Sequence, residues 1–247
     1  MATLLLNRMR SLRSGAAYLL RSTLPQLCAL CGVPCGQALV CDACGRAMPR
    51  VACPCPRCAL PARADGPCGE CLNRPPPFSR VHAAWIYAFP VDRLIHALKY
   101  GGQLALADPL AGALIAVLRD HSRDAGPDVD AIVPLPLAPS RQRERGFNQA
   151  TELARRIAAN LDLPLVRGLA RTRDSPPQAV LAWSARARNV RHAFVGLPSL
   201  AGRRIAVVDD VMTTGATLAA AARAARSAGA RDVEAWVVAR TLPPGAA

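Results

Sequence analysis

From residue 80 onward the apolar positions of the chain fall into a strand–helix series. Residues 81–88 read as a strand, residues 91–100 as a short helix stopped by Gly101 and Gly102, and residues 104–119 are apolar at helical spacing. Residues 130–134 read as a second strand and residues 149–160 as a helix. Arg204, Ile205, Ala206, Val207 and Val208 lead into two acids, with the unbroken apolar run of a strand buried on both faces. An Ala-rich helix of about three turns follows, and residues 233–240 form one more strand. Strands alternating with helices predict an α/β fold, with a mostly parallel sheet and a ligand at the carboxyl ends of its strands.

Between the acids Asp209 and Asp210 and the Ala-rich helix stands Thr213-Thr214-Gly215-Ala216-Thr217. Such a turn offers hydroxyls, backbone N–H groups and a helix N-terminus to an anion, which is what a phosphate requires. The two carboxylates can accept hydrogen bonds from vicinal sugar hydroxyls, so the ligand class read from the residues is a sugar phosphate. Acids that merely cap the helix dipole are the structural alternative. That alternative leaves the hydroxyl–glycine cradle unexplained.

A second loaded segment runs from Pro134-Leu135-Pro136-Leu137 through Arg141, Arg143 and Arg145 to Gly146-Phe147-Asn148-Gln149. Three arginines in five residues, at the exit of a strand in the same sheet, suit the pyrophosphate arm of a ligand whose other end rests on 213–217. An ordinary solvated basic turn is the competing reading. Residues 171–193, with Arg171, Arg173, Gln178, Trp183, Arg186, Arg188 and Asn189, form a polar basic stretch between two strand candidates. That composition suits an active-site lid or a disordered loop.

The amino-terminal part follows a different rule. Cys28, Cys31, Cys41 and Cys44 each have a counterpart 27 residues later, at Cys55, Cys58, Cys68 and Cys71, and both sets read C-x2-C-x9-C-x2-C. Each C-x2-C pair presents two thiolates to one tetrahedral ion, so the repeat predicts two structural zinc sites in tandem ribbons. Disulfides would need an oxidising compartment, and no export signal is visible. Spacing leaves open whether each ion sits within a repeat or bridges the two. Cys35 and Cys53 fall outside the pattern, because their equivalents are Ala62 and Gln26.

Ahead of the cysteines, residues 1–27 carry arginines and no acid, with Leu5, Met9, Leu12, Ala16 and Leu19 on one helical face. The composition resembles a transit peptide, and the preferred reading is an amphipathic helix docking on the adjoining cysteine-rich segment. Residues 28–72 then form the double zinc ribbon, the proline-rich residues 73–79 a stiff linker and residues 80–247 the α/β domain. No apolar run approaches the length of a membrane span, and a cytoplasmic protein is expected. The net charge of +14 falls to roughly +10 once two four-thiolate zinc sites are counted. A polyanionic partner fits that charge, as does an arginine-rich proteome: Lys99 is the single lysine against thirty arginines. A compact ammonium at that one position, or chance, explains it equally well.

The string from Asp209 to Thr217 resembles the binding loop of type I phosphoribosyltransferases, which holds 5-phosphoribosyl-1-pyrophosphate. The cysteine repeat, Leu98-Lys99-Tyr100-x-Gly102, Pro134-Leu135-Pro136-Leu137, Arg145-Gly146-Phe147-Asn148-Gln149, Gln178 with Arg186 and Asn189, and Val208 to Thr217 extend the likeness over nearly all of the chain from Cys28. Together they resemble ComF-type proteins, which join a double zinc ribbon to a type I phosphoribosyltransferase-like domain. Ala138 stands where that pattern would have a histidine.

The resemblance implies a role in DNA uptake during natural transformation, with single-stranded DNA and a DNA-translocating helicase as partners. It also implies a phosphoribosyl pyrophosphate or nucleotide site. There Asp209 and Asp210 would hold the ribose, residues 213–217 the 5-phosphate, and Lys99, Arg141, Arg143 and Arg145 the pyrophosphate together with magnesium. Three functions follow as expectations: a ligand-binding protein without catalysis, an active purine or pyrimidine transferase of nucleotide salvage, or a zinc-ribbon scaffold that docks DNA or a helicase.

Overall fold

The computed structural model describes residues 26–63, 66–121, 127–172 and 193–243. The expected amino-terminal helix lies, but for its last two residues, outside the described residues, as do Arg173, Gln178, Trp183, Arg186, Arg188 and Asn189. The chain divides into two compact units between Ala47 and Met48.

In the first unit the chain turns back at Leu27 and Pro34, which bridge each other, and the short helix α1 (Asp42–Arg46) starts immediately after Cys41. The second unit opens with the same device 27 residues on. Pro54 bridges Pro61, and α2 (Gly69–Asn73) starts immediately after Cys68.

The rest of the second unit is built on four parallel strands: β1 (Arg80–Ile86), β2 (Ala131–Pro134), β5 (Arg204–Met212) and β6 (Asp232–Arg240), in the order β1-β6-β5-β2. A separate antiparallel pair, β3 (Leu169–Arg171) and β4 (Phe194–Gly196), flanks the segment at 173–192. The helices are α3 (Val91–Tyr100), α4 (Ala107–His121), α5 (Pro139–Arg145), α6 (Gln149–Leu161) and α7 (Ala216–Ser227).

Strand alternation decides which helix covers which face. Ile205 and Val207 of β5 share a core with Leu218, Ala221, Ala222 and Ala225 of α7. Ala206, Val208 and Asp210 have the opposite parity and face the side where α4 and α6 pack on each other and on the sheet. Both faces are covered, which is why β5 reads as a continuous apolar run.

Helix α7, after β5, and helix α6, the second helix after β2, lie on opposite faces, while the two strands are neighbours. The carboxyl ends of β5 and β2 therefore open a crevice at a topological switch point, where α/β sheets take their ligands. Segment 141–145, for which an ordinary basic turn is the competing reading, is helical. Pro139 occupies its first turn and Gly146, at φ 75°, ends it, the usual asymmetry of helix ends.

Candidate functional site: a phosphate turn beside a cysteine tetrad

The crevice is a cavity of about 480 Å³, lined among others by Lys99, Arg141, Arg145, Asp209, Asp210, Thr213 and Thr217. Strand β5 runs on through both acids to Met212, so their side chains leave it with opposite parity. Asp210 is buried at 3 % exposure, and Lys99, at the end of α3, forms an ion pair with its Oδ2. The single lysine of the chain thus places its compact ammonium against one acid of the pair.

Burial pushes Asp209 well above the usual carboxylate range, and the adjacent Asp210 charge pushes it the same way. Burial acts on Asp210 too, but the Lys99 ammonium outweighs it and holds that carboxyl below its ordinary value. Burial would lower Lys99, and the Asp210 carboxylate more than offsets this. The pair titrates as a unit, with Asp210 as its ionised member.

After Met212 the chain turns sharply. Gly215 sits at φ +79°, which L side chains rarely adopt, and serves as the cap residue of α7. The Thr214 hydroxyl accepts the Ala216 N–H at 3.2 Å, and this fixes the turn ahead of the first-turn N–H groups that lack intrahelical partners. Thr213 and Thr217 line the cavity. Thr214, Gly215 and Ala216 instead border a larger groove of about 1320 Å³ on the other side of the turn, shared with Cys58, Cys71 and Arg240.

On α5, Arg141 and Arg145 are four residues apart and share a face, which lines the cavity. Arg143 lies between them in sequence, is exposed, and is not among the lining residues. Arg145 donates to the Tyr100 hydroxyl at 2.9 Å and to Gln149 Oε1 at 3.2 Å, so α3, α5 and α6 converge on one guanidinium. Asn148 caps α6 by accepting from the Ala150 N–H at 3.0 Å, while its amide donates to the Leu135 carbonyl at 3.0 Å and ties the helix to the exit of β2.

The eight repeat cysteines gather as two tetrads, 28/31/41/44 and 55/58/68/71, each with its four sulfurs within 4.8 Å of one another. Each set gathers within its own repeat rather than across the two. Tetrahedral zinc–thiolate bonds put sulfurs about 3.8 Å apart. The 3.7 Å between Cys31 and Cys41 and the 3.6 Å between Cys58 and Cys68 fit that spacing.

Matching backbone groups serve both tetrads. Against the effect of burial, the N–H groups of Cys31, Cys41 and Leu30 draw Cys28 down to about 6. Those of Cys68, Arg57 and Cys58, 27 residues on, draw Cys55 down to about 7. Four sulfurs with preset donors and no open position suit two structural zinc sites.

Arg240 is the site residue that the sequence pattern does not reveal, since it ends β6 as an ordinary terminal cation. It is buried at 3 % exposure. Burial lowers its pKa, opposed by Cys58, Glu70, Cys71 and Cys68. The available signal was a charged residue in register with Met212, directly before the phosphate turn.

A parallel sheet with an acid pair and a phosphate turn at its carboxyl edge defines a phosphoribosyltransferase-like protein, and residues 142–242 match the family model for the phosphoribosyl transferase domain. The DNA utilization protein YhgH of Escherichia coli (strain K12) is 37% identical over 226 residues, covering 89% of this chain and 99% of that one. Competence protein F of Haemophilus influenzae is 33% identical over 178 residues, covering 70% and 78%. Among solved structures, the glutamine phosphoribosylpyrophosphate amidotransferase from B. subtilis aligns at a TM-score of 0.36 and 20% identity, over 53% of this chain and 26% of that one. The chain belongs to the ComF family of DNA utilization and competence proteins, with two cysteine tetrads ahead of a phosphoribosyltransferase-like sheet.

Proposed function

We propose that the protein binds a phosphoribosyl ligand, phosphoribosyl pyrophosphate or a nucleotide 5-phosphate, in the crevice between β5 and β2, and acts with it in DNA uptake. The observation carrying this reading is one cavity that unites Asp209 and Asp210 with Thr213, Thr217, Lys99, Arg141 and Arg145. The acids suit ribose hydroxyls, the turn a 5-phosphate, and the two arginines with Lys99 a pyrophosphate.

A magnesium ion fits this donor set. Two carboxylates and a ligand diphosphate are the oxygens it takes, and when bound it would neutralise the diphosphate charge. Lys99 keeps one carboxylate ionised without metal, and the half-buried strand end restricts water around the ribose. Names of relatives, DNA utilization protein and competence protein, support the role in uptake. Single-stranded DNA and a DNA-translocating helicase are the partner classes carried with it, and the charge of +14 suits the former.

Calorimetric titration with phosphoribosyl pyrophosphate and magnesium tests the reading. Wild type should bind, and Asp209→Asn/Asp210→Asn should lose at least about tenfold in affinity, the cost of roughly one charged hydrogen bond. Folded wild type that takes up no ligand would refute it. Pyrophosphate release on adding purine or pyrimidine bases would move the reading from binding to catalysis.

A second reading concerns the first unit. Its described residues include no aromatic side chain for base stacking, and Leu27 and Val33 are exposed. Those features favour docking of a protein over DNA. Pull-down of a helicase by wild type, lost in Leu27→Asp/Val33→Asp, is the expected result.

A further inference from the structure

We infer that Arg240 is a positioning residue that ties zinc occupancy of the tetrad 55/58/68/71 to the set of the phosphate turn at 213–217, an inference resting on the ligand reading above. Its Nε donates to the Cys58 carbonyl at 2.8 Å. Its Nη1 donates to the Met212 carbonyl at 3.0 Å, to the Thr213 carbonyl, and to the Thr241 carbonyl at 2.8 Å. One planar guanidinium therefore holds a ligand-bearing knuckle at one edge and the first two peptides of the turn at the other.

The backbone makes this link stiff. Arg240 pairs with Met212 on one side and Ile86 on the other. The Tyr87 N–H donates to the Arg240 carbonyl at 2.8 Å and the Thr241 N–H to the Met212 carbonyl at 3.0 Å. Movement of the knuckle is transmitted rather than absorbed.

Peptide geometry says what is transmitted. In a trans peptide the C=O of one residue and the N–H of the next point in opposite directions. Carbonyls of Met212 and Thr213 drawn to the guanidinium turn the N–H groups of Thr213 and Thr214 away from it, and these are donors of the phosphate turn.

The knuckle supplies the dependence on metal. Cys58 is one of the four cysteines of its tetrad, so its carbonyl stays in place while an ion holds the four sulfurs together. Loss of the ion would free the knuckle, and the turn would lose its anchor on that side.

Coupling between two sites is reciprocal, which gives a test independent of any catalysis. Zinc release to a chelator is followed for wild type and Arg240→Lys, each with and without saturating ribose 5-phosphate. In wild type the sugar phosphate should slow release of one of the two zincs by roughly 5- to 100-fold, the ordinary range of coupling between sites, and leave the other unchanged. In Arg240→Lys, which keeps the cation but not the fork, both zincs should remain bound and the protection should fall below about twofold.

Protection of both zincs or neither in wild type, or full protection in Arg240→Lys, would overturn the inference while ligand binding itself stands. Wild type that binds no ribose 5-phosphate overturns the ligand reading and the inference with it. If Arg240→Lys fails to hold two zincs, the wild-type release rates alone decide.

Discussion

The two cysteine repeats share their spacing, their turn, their short helix and their N–H-to-sulfur bonds, yet they sit in different surroundings. The first closes on itself: Cys28 N–H bonds Val33, Gln26 N–H bonds Gly36 and Ala29 N–H bonds Leu39, all within the unit that ends at Ala47. The second makes the equivalent bond, Cys55 N–H to Leu60, and is then sewn into the α/β sheet. Ile86 N–H donates to the Pro49 carbonyl, Val81 N–H to the Pro56 carbonyl and Arg240 to the Cys58 carbonyl. One sequence motif thus lies in a unit of its own in one copy and is bonded to the sheet in the other. Spacing specifies the tetrad, and tertiary packing specifies what the tetrad is joined to.

The largest expected effect would break this comparison directly. Cys58→Ser should release one zinc and destabilise the second unit by about 3 kcal/mol or more, roughly 6–12 °C in melting temperature for a domain of this size. Cys31→Ser should also release one zinc but leave that melting transition in place. Equal melting losses in the two variants, measured by calorimetry with zinc quantified, would erase the distinction.

A smaller effect sharpens it from the side of the site. The Asp209 carboxyl is held up by burial and by its neighbour, so part of it stays protonated at pH values where a free aspartate is ionised. A ligand that donates hydroxyls to the carboxylate should bind more tightly as pH rises through that raised value. It should also expel up to about one proton per site. Titration in buffers of different ionisation heat reads the proton directly. Asp209→Asn should abolish its release while both zincs stay bound, and proton release that survives the substitution assigns the titration elsewhere.

The smallest effect is expected at the cysteines outside the repeat. Cys35→Ala and Cys53→Ala should keep both zincs and shift stability by no more than about 0.5 kcal/mol. The two positions face each other's equivalents: Cys35 N–H bonds the Gln26 carbonyl, and Ala62 N–H bonds the Cys53 carbonyl. The backbone carries that contact in both copies, and the Cys35 thiol adds a weak bond to the Ala38 carbonyl at 2.9 Å. Loss of a zinc in either variant would give the thiol a role that the geometry does not.

Much of the fold was legible because its signals are local. The apolar run before Asp209, the glycine-bearing turn and the Ala-rich helix each sit within a few residues, and the structure places β5 and α7 there. Helix α3 spans the residues that the pattern assigns to it. Helix α5 has no apolar stripe beneath its three arginines, so only the proline in its first turn and the glycine after it mark it as a helix. Once the segment is helical, residues two apart diverge. Arg141 and Arg145 then line the cavity and Arg143 does not.

By itself the sequence determined that two four-cysteine clusters would form and that a threonine–glycine turn would follow a buried strand, since both depend on spacings along a few residues. It also held the resemblance that implies the ComF family. Only the tertiary structure decided that Lys99 would sit on Asp210, that the second tetrad would share Arg240 with the phosphate turn, and that the first would close on itself. Lys99 and Asp210 are 111 positions apart, and Cys58 and Arg240 are 182 apart. No periodicity reaches across such gaps. Those contacts follow from strand order, which brings the ends of distant segments together, and from the need of each partly or fully buried cation for acceptors once water is displaced.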